Sequence, residues 1–324
     1  MLGFLVRRIG MCILVLWVIS VLTFILMLLS PGDPINIYIN PEVSRSITPE
    51  AIEMLRHKMG LDRPLILQYF HWIGNFVQGN WGFSFLSKAP VLRDILLRLP
   101  NTLLLSGSAL LLSTLVAIPV GIMSAVKQYS FLDYVATTTA FFGISIPRFW
   151  FALMLTYVFA VQLRWLPSTG MSSVRFDLTA WGHFVDVVRH LVLPTLALAL
   201  PSMASWARYQ RSSLLETLGQ DYVRTARAKG LRERIVIVRH AARNAMIPMV
   251  TLAGLTLPAL VGGSYIVETI FGWPGMGRLG LNAIMARDYP VIMGVTMTTA
   301  AVVLLGNLLA DVAYVFVDPR IQYQ

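Results

Sequence analysis

Apolar runs free of charged residues recur along the 324-residue chain at 9–29, 99–126, 190–207, 244–267 and 289–310. Each is long enough for a helix across roughly 30 Å of hydrocarbon, so each predicts a span. A further apolar stretch, 133–164, is interrupted only by Pro147 and Arg148. Neither half crosses comfortably alone, which predicts one long span kinked at the proline. The expectation is an all-α membrane protein of six transmembrane helices.

The polar segments fill in the rest. Residues 1–30 read as an N-terminal span, ended by the PGDP turn at 31–34. Residues 31–98 read as a helical extracytoplasmic insertion between the first two spans. Thr48-Pro49-Glu50 has the form of a helix start and Gly60 of a stop. A second helix is predicted at 64–77, with Tyr69, Phe70, Trp72 and Phe76 forming either an interfacial aromatic belt or a surface for an extracytoplasmic partner. Residues 90–99 form a third short amphipathic piece. Residues 99–316 make a five-helix core with a polar loop at 208–243, and 317–324 a tail. Prolines at 119, 147, 194, 201 and 258 border or interrupt spans and leave backbone groups that neighbouring helices or water must satisfy.

Composition agrees: 56% of residues are hydrophobic and 13% charged, too few charges to coat a water-soluble particle. The net charge of +10 is a topology signal rather than a nucleic-acid signal. With the N-terminus inside, the inner segments carry thirteen Lys or Arg residues and the two short outer loops five. Both termini are therefore expected in the cytoplasm. Cys12 is the only cysteine, so no disulfide framework or thiol metal site is indicated.

Four features carry candidate chemistry. Arg148 lies near the midpoint of the kinked span, where a guanidinium either faces a pathway and meets a substrate carboxylate or satisfies carbonyls freed at Pro147. The outer loop ETIFGWPGMGRL contains a literal G-x-G-x-x-G at Gly275, Gly277 and Gly280, but it lacks the strand and distant acid of a dinucleotide site. It reads instead as a tight re-entrant turn at the outer mouth, built on Trp273, Pro274, Gly275 and Gly277, with Glu268, Arg278, Arg287 and Asp288 as a polar rim. The five histidines lie at 57, 71, 183, 190 and 240, scattered without metal-site spacing. Finally, 221–248, DYVRTARAKGLRERIVIVRHAARNAMIP, is a strongly basic break between apolar runs. On a helix, Tyr222, Val223, Ala226 and Gly230 share one small apolar face, opposite Arg224 and Arg227. Small residues permit close approach to another protein; membrane lipid headgroups are the alternative partner.

This segment resembles the cytoplasmic EAA loop of binding-protein-dependent ABC importer permeases. It departs from the general form, with Arg224 and Thr225 where Glu and the first Ala stand. It is similar instead to the variant of the dipeptide, oligopeptide and nickel branch, D-Y-x-R-T-A-R-A-K-G followed by R-N-A-x-x-P, met by 221–230 and 243–248. MLGFLVRRIG at the start, PGDP, FGWPGMGR at 271–278, RDYPV at 287–291 and DPRI at 318–321 resemble that branch's first permease subunit. The resemblance implies a type I ABC importer permease fold in a bacterial or archaeal cytoplasmic membrane. It implies as partners a homologous second permease, two ATPase subunits and an extracytoplasmic substrate-binding protein. Asp221, Tyr222, Val223, Arg224, Thr225, Ala226, Arg227, Ala228, Lys229 and Gly230 would supply the ATPase coupling helix. The chain itself would be no enzyme and bind no cofactor, with ATP and magnesium held by the partner ATPases. Peptides are the implied cargo, and nickel chelates, glutathione or oligosaccharides the alternatives for the same machinery.

Two other classes find little support in the residues. No G-x-x-x-x-G-K-[ST] is present, so this chain cannot by itself cradle ATP phosphates. A gradient-driven secondary transporter calls for mid-membrane acids or paired repeats, and Asp311, at the inner end of the last span, is the deepest acid. A metal-dependent intramembrane hydrolase calls for HExxH, which does not occur.

Overall fold

The computed structural model describes residues 2–29, 50, 53, 54, 57, 62–173, 179–256 and 264–317. The PGDP turn, the helix start at Thr48-Pro49, the stop at Gly60, Pro258, the side chain of Asp311 and residues 318–324 lie outside them.

The chain is a helical bundle whose outward surface is apolar. Helix α1 (Leu2–Leu29) exposes Leu14, Trp17, Leu22, Leu26 and Leu29, while Ser20 and Thr23 face inward. That inversion suits a lipid solvent, in which apolar side chains need no cover and polar ones do. Helix α1 packs on α13 (Tyr289–Val317) and touches the aromatic helix α2 (Leu65–Val77). There Ser20 shares a 2.7 Å hydrogen bond with the Tyr69 hydroxyl, and Phe24 stacks on Trp72. Tyr69 and Trp72 thus pack against the first span, a placement that neither reading of the aromatic residues named, while Phe70 is exposed.

The centre is the pair α3 (Val91–Val126) and α6 (Ala180–Leu218), the most extensive helix contact in the molecule. At their crossing, a Cβ on Gly121 would lie 2.7 Å from the Ala207 carbonyl oxygen, so only glycine lets the backbones meet. Both helices outrun their uncharged windows. The amphipathic piece expected at 90–99 is continuous with the second span through Pro100, because Val91 and Ile95 bury against α12 (Met276–Ala286) and Val291. The other helix continues past the hydrocarbon as far as Leu218, so 208–218 is helical extension rather than loop.

The stretch 133–164 bends far more sharply at Pro147 than a simple kink. Helix α4 (Phe131–Ser145) and helix α5 (Arg148–Leu155) meet at 106°, and α5 passes into a π-helical segment, Thr156–Gln162. Ile146 is extended, at φ −74°, ψ 126°, because the ring of Pro147 disfavours helical geometry in the residue before it. The helix therefore stops and restarts, and Arg148 stands in the first turn of α5 rather than midway along one rod.

Among the described residues, α1, α3, α6 and α13 are long and apolar enough to cross a membrane, and α4 with α5 makes a fifth crossing if the bent pair is one span. The remaining expected span, 244–267, is seen as α10 (Ile247–Thr256) and α11 (Tyr265–Ile270) on either side of residues outside the description. The count of six thus extends beyond the described residues.

Candidate functional site

At the basic end of the bundle, 219–246 folds as a compact cap. Helix α7 (Asp221–Ala228) is followed by Gly230, then α8 (Glu233–Ile235), a π-helical segment (Val236–Ala242) and α9 (Arg243–Ala245). Gly230 has φ +75°, a left-handed conformation that costs a residue with a Cβ about 1–2 kcal/mol. No heavy atom lies within 4 Å of where its Cβ would be, so the demand there is on dihedral angle, not space. Arg227 spans the turn to Glu233, with Nη2 to Oε1 at 2.7 Å. Its guanidinium holds the Glu233 carboxyl below its ordinary range, although an exposed pair of this kind adds little stability.

The apolar face of α7 is real, but its destination differs from the expected one. Val223 is 0% exposed and Ala226 6%, buried with Ala125, Leu214, Val236, Ala241, Ala242 and Ala245 of the same chain. Tyr222 leans the same way, its hydroxyl accepting from Asn244 Nδ2 at 2.9 Å. The small residues let α7 pack against its own bundle, and Ala226 is buried there rather than turned outward. The exposed residues of α7 are Asp221, Tyr222, Arg224, Thr225, Arg227 and Ala228, and Lys229 and Gly230 after it are exposed as well.

An ion pair that the sequence reading missed fixes the extension of α6, from which this cap continues, to the bundle. Asp133, 3% exposed, takes Arg211 Nε at 2.7 Å on one oxygen and Nη2 at 2.8 Å on the other. It also accepts from the Ser124 hydroxyl and from the Tyr129 backbone N–H at 2.9 Å. One carboxylate thus joins α3, the turn after it, α4 and the extension of α6. Its local signal was the S-x-x-D of Ser130 and Asp133, a helix start in which the Ser130 hydroxyl accepts from the Asp133 N–H.

At the opposite end, the glycine-rich turn is a packed plug rather than a mouth with a polar rim. Trp273 and Glu268 are each 0% exposed and Asp288 is 2%. Glu268 accepts from Thr102 Oγ1 at 3.0 Å and from the Arg278 N–H at 2.8 Å, so it neutralises donors at the start of α12. Thr102 Oγ1 in turn accepts from the Met276 N–H at 2.7 Å. Trp273 donates its indole N–H to the Asn101 carbonyl, and the Asn101 amide donates to that of Pro274. Asp288 accepts from the Ser84 hydroxyl at 2.5 Å and pins the segment before α3 to the start of α13. Arg278 is half-buried and donates to the Gly272 carbonyl at 3.0 Å. Acids in loops usually face water; here Glu268 faces an N–H of its own turn, and Asp288 the Ser84 hydroxyl and the Leu86 N–H. A Cβ on Gly275 would fall 2.4 Å from the Glu268 carboxylate, and one on Gly277 2.8 Å from the Tyr265 nitrogen. Gly275→Ala is expected to destabilise the protein by about 1–3 kcal/mol, through the overpacking of a site with no slack. A thermal unfolding curve in detergent checks it, and an unmoved midpoint would remove the plug from the structural account.

Arg148 lies between these ends. It is exposed, has no hydrogen-bond or ion-pair partner among the described residues, and borders a cavity of about 370 Å³ with Ser202, Ser205 and Trp206 of α6. No group of three or more His, Cys, Asp or Glu residues suited to a metal occurs among the described residues.

Comparison with known proteins places this arrangement. Residues 117–323 match the family described as binding-protein-dependent transport system inner membrane component, and residues 1–106 match the N-terminal region of such membrane components. The oligopeptide transport system permease protein AppB of Bacillus subtilis is 44% identical, with all of both chains covered. The dipeptide transport system permease protein DppB of Escherichia coli K12 is 40% identical, again with all of both covered. The glutathione transport system permease protein GsiC of Escherichia coli is 38% identical over the same full extent.

Proposed function

Because the chain belongs to the family of binding-protein-dependent transport system inner membrane components, we propose that it forms half of the translocation pathway of an ATP-driven peptide importer. It is a multi-pass membrane subunit, and its cap at 219–246 lies on the cytoplasmic side with both termini, the orientation that the excess of basic residues in those segments favours. The cargo is a di- or oligopeptide handed over by an extracytoplasmic binding protein. The observation that carries the substrate class is similarity from end to end with relatives named for oligopeptides and dipeptides. One full-length relative named for glutathione supports a second reading on the same machinery.

Energy enters from other subunits, two ATPases that bind ATP and magnesium, since the chain has no phosphate-binding loop of its own. A homologous second permease completes the pathway. Helix α7 is the contact through which ATPase closure is felt. Its inner face is locked into the bundle by Val223 and Ala226, so a push on the outer face moves the cap and the α6 extension together rather than bending α7 away. Asp133 and Arg211 carry the displacement on to α3 and α4. The device is a rigid-body switch whose two states nucleotide populates differently.

Cross-linking tests the orientation. In a Cys12→Ser background, cysteines introduced at Thr225 and Ala228 are expected to cross-link to the ATPase of the assembled importer, and a cysteine at Val223 is not. Reaction at 223 with silence at 225 and 228 would reverse the assignment.

A further inference from the structure

We propose that the cavity at the elbow between α4 and α5 is a transit site for the carboxylate of the peptide cargo, with Arg148 as its cation. The inference rests on the peptide-transport reading and adds a site to it. Four observations meet there. The helix breaks at 106°, and a cavity of about 370 Å³ lies at the break. Arg148 stands at its edge without a hydrogen-bond or ion-pair partner among the described residues, so the second reading of this residue, a structural arginine satisfied by carbonyls at Pro147, is not what the geometry shows. The facing wall, one turn of α6, offers the hydroxyls of Ser202 and Ser205 beside the buried Trp206. Ile144 and Ile146 close the apolar side.

An unpaired guanidinium in a membrane helix is costly to keep unless it serves a passing ligand. Its planar fork matches a carboxylate in two parallel hydrogen bonds, and hydroxyls opposite can donate to the remaining lone pairs. The cavity is also open to one side of the chain, and Ser205 is exposed. A cation on an open wall holds a carboxylate less tightly than one in an enclosed pocket, which suits a point of passage better than a storage site. Neutral cargo would cross the elbow without this step.

The test uses the assembled importer with its ATPases and binding protein in proteoliposomes, with tri-alanine and its C-terminal amide as probes. Arg148→Gln is expected to lower tri-alanine uptake about tenfold, the order of a lost charge-assisted hydrogen bond, and to leave amide uptake within about twofold of the wild-type value on the same peptide. Arg148→Lys restores part of the tri-alanine rate. Equal losses on both peptides, or no loss on either, overturn the proposal. A second measurement does not depend on what the binding protein accepts. With Ser205→Cys in a Cys12→Ser background, an anionic methanethiosulfonate is expected to react faster than a cationic one, relative to their rates on free cysteine. Arg148→Gln should abolish that preference, and a preference that is absent or unchanged overturns the site. Lack of any ATP-dependent tri-alanine uptake by the wild-type importer would count against the peptide reading instead, and the reagent pair would still decide the pocket.

Discussion

Arg211→Met is expected to cost the fold about 3–5 kcal/mol, nearer the lower value, because it strands the Asp133 carboxylate in a buried site. Asp133 is 3% exposed and its two oxygens are met by both forks of the guanidinium, at 2.7 and 2.8 Å. Without Arg211, only the Ser124 hydroxyl, the Tyr129 N–H and a weak contact from Thr137 remain for a full charge. The loss falls short of the upper value because the arginine side chain keeps 25% of its surface exposed, so water can reach the vacated place. The pair's net worth is a separate quantity. Removing both charges, in Asp133→Asn with Arg211→Met, is expected to recover more than half of the loss, since the desolvation penalty goes with the charge. Thermal unfolding of the detergent-solubilised protein reads both. A single variant as stable as the wild type would mean that Asp133 is solvated and joins nothing. Since the same carboxylate links the α6 extension to α3 and α4, the single variant is also expected to lose ATP-driven uptake at temperatures where it remains folded.

The sequence announced some of this and concealed the rest for identifiable reasons. Charge-free windows located α1 and α13 well, because lipid excludes charge directly. They misplaced the ends of α3 and α6, whose helices run on through Arg93, Asp94 and Arg98 and through Arg208 and Arg211. A charge marks where hydrocarbon stops, and a helix has no reason to stop with it. Pro147 was visible, but a proline inside a rod and a proline that begins a new rod read alike; the extended Ile146 before it distinguishes them. The periodicity of 221–230 correctly put Val223 and Ala226 on one face. It could not say whose surface they meet, since a small apolar face fits its own bundle as well as a partner. Glu268 and Asp288 were legible as acids in a loop, whereas their donors, Thr102 and Ser84, lie 166 and 204 residues away in sequence. Family resemblance, by contrast, came through almost entirely in short local motifs.

The inward turn of α7 changes which substitution should uncouple the importer. Ala228 is exposed on the outer face beside Arg224, itself 72% exposed at the side chain, and Lys229. A groove that accepts this face must fit closely around a methyl group, and a tryptophan there holds the two surfaces apart. Ala228→Trp is therefore expected to reduce ATP-driven uptake at least tenfold, equivalent to the loss of one central contact of about 2 kcal/mol or more. Stability should stay within about 0.5 kcal/mol of the wild type, as an exposed change affects no packing. Ala226→Trp separates the two faces of the helix. Its side chain would have to enter the cluster of Leu214, Val236 and Ala241, and is expected to destabilise the fold by about 1–3 kcal/mol or more through overpacking. The two variants, compared by uptake, by co-purification of the ATPase and by unfolding midpoint, should fail in different columns. Full uptake with Ala228→Trp would remove the outer face of α7 from the coupling contact. Uncoupling by Ala226→Trp with an unchanged midpoint would return the contact to the inner face, because a buried methyl cannot be enlarged sixfold without a cost in stability unless the helix leaves its bundle to dock.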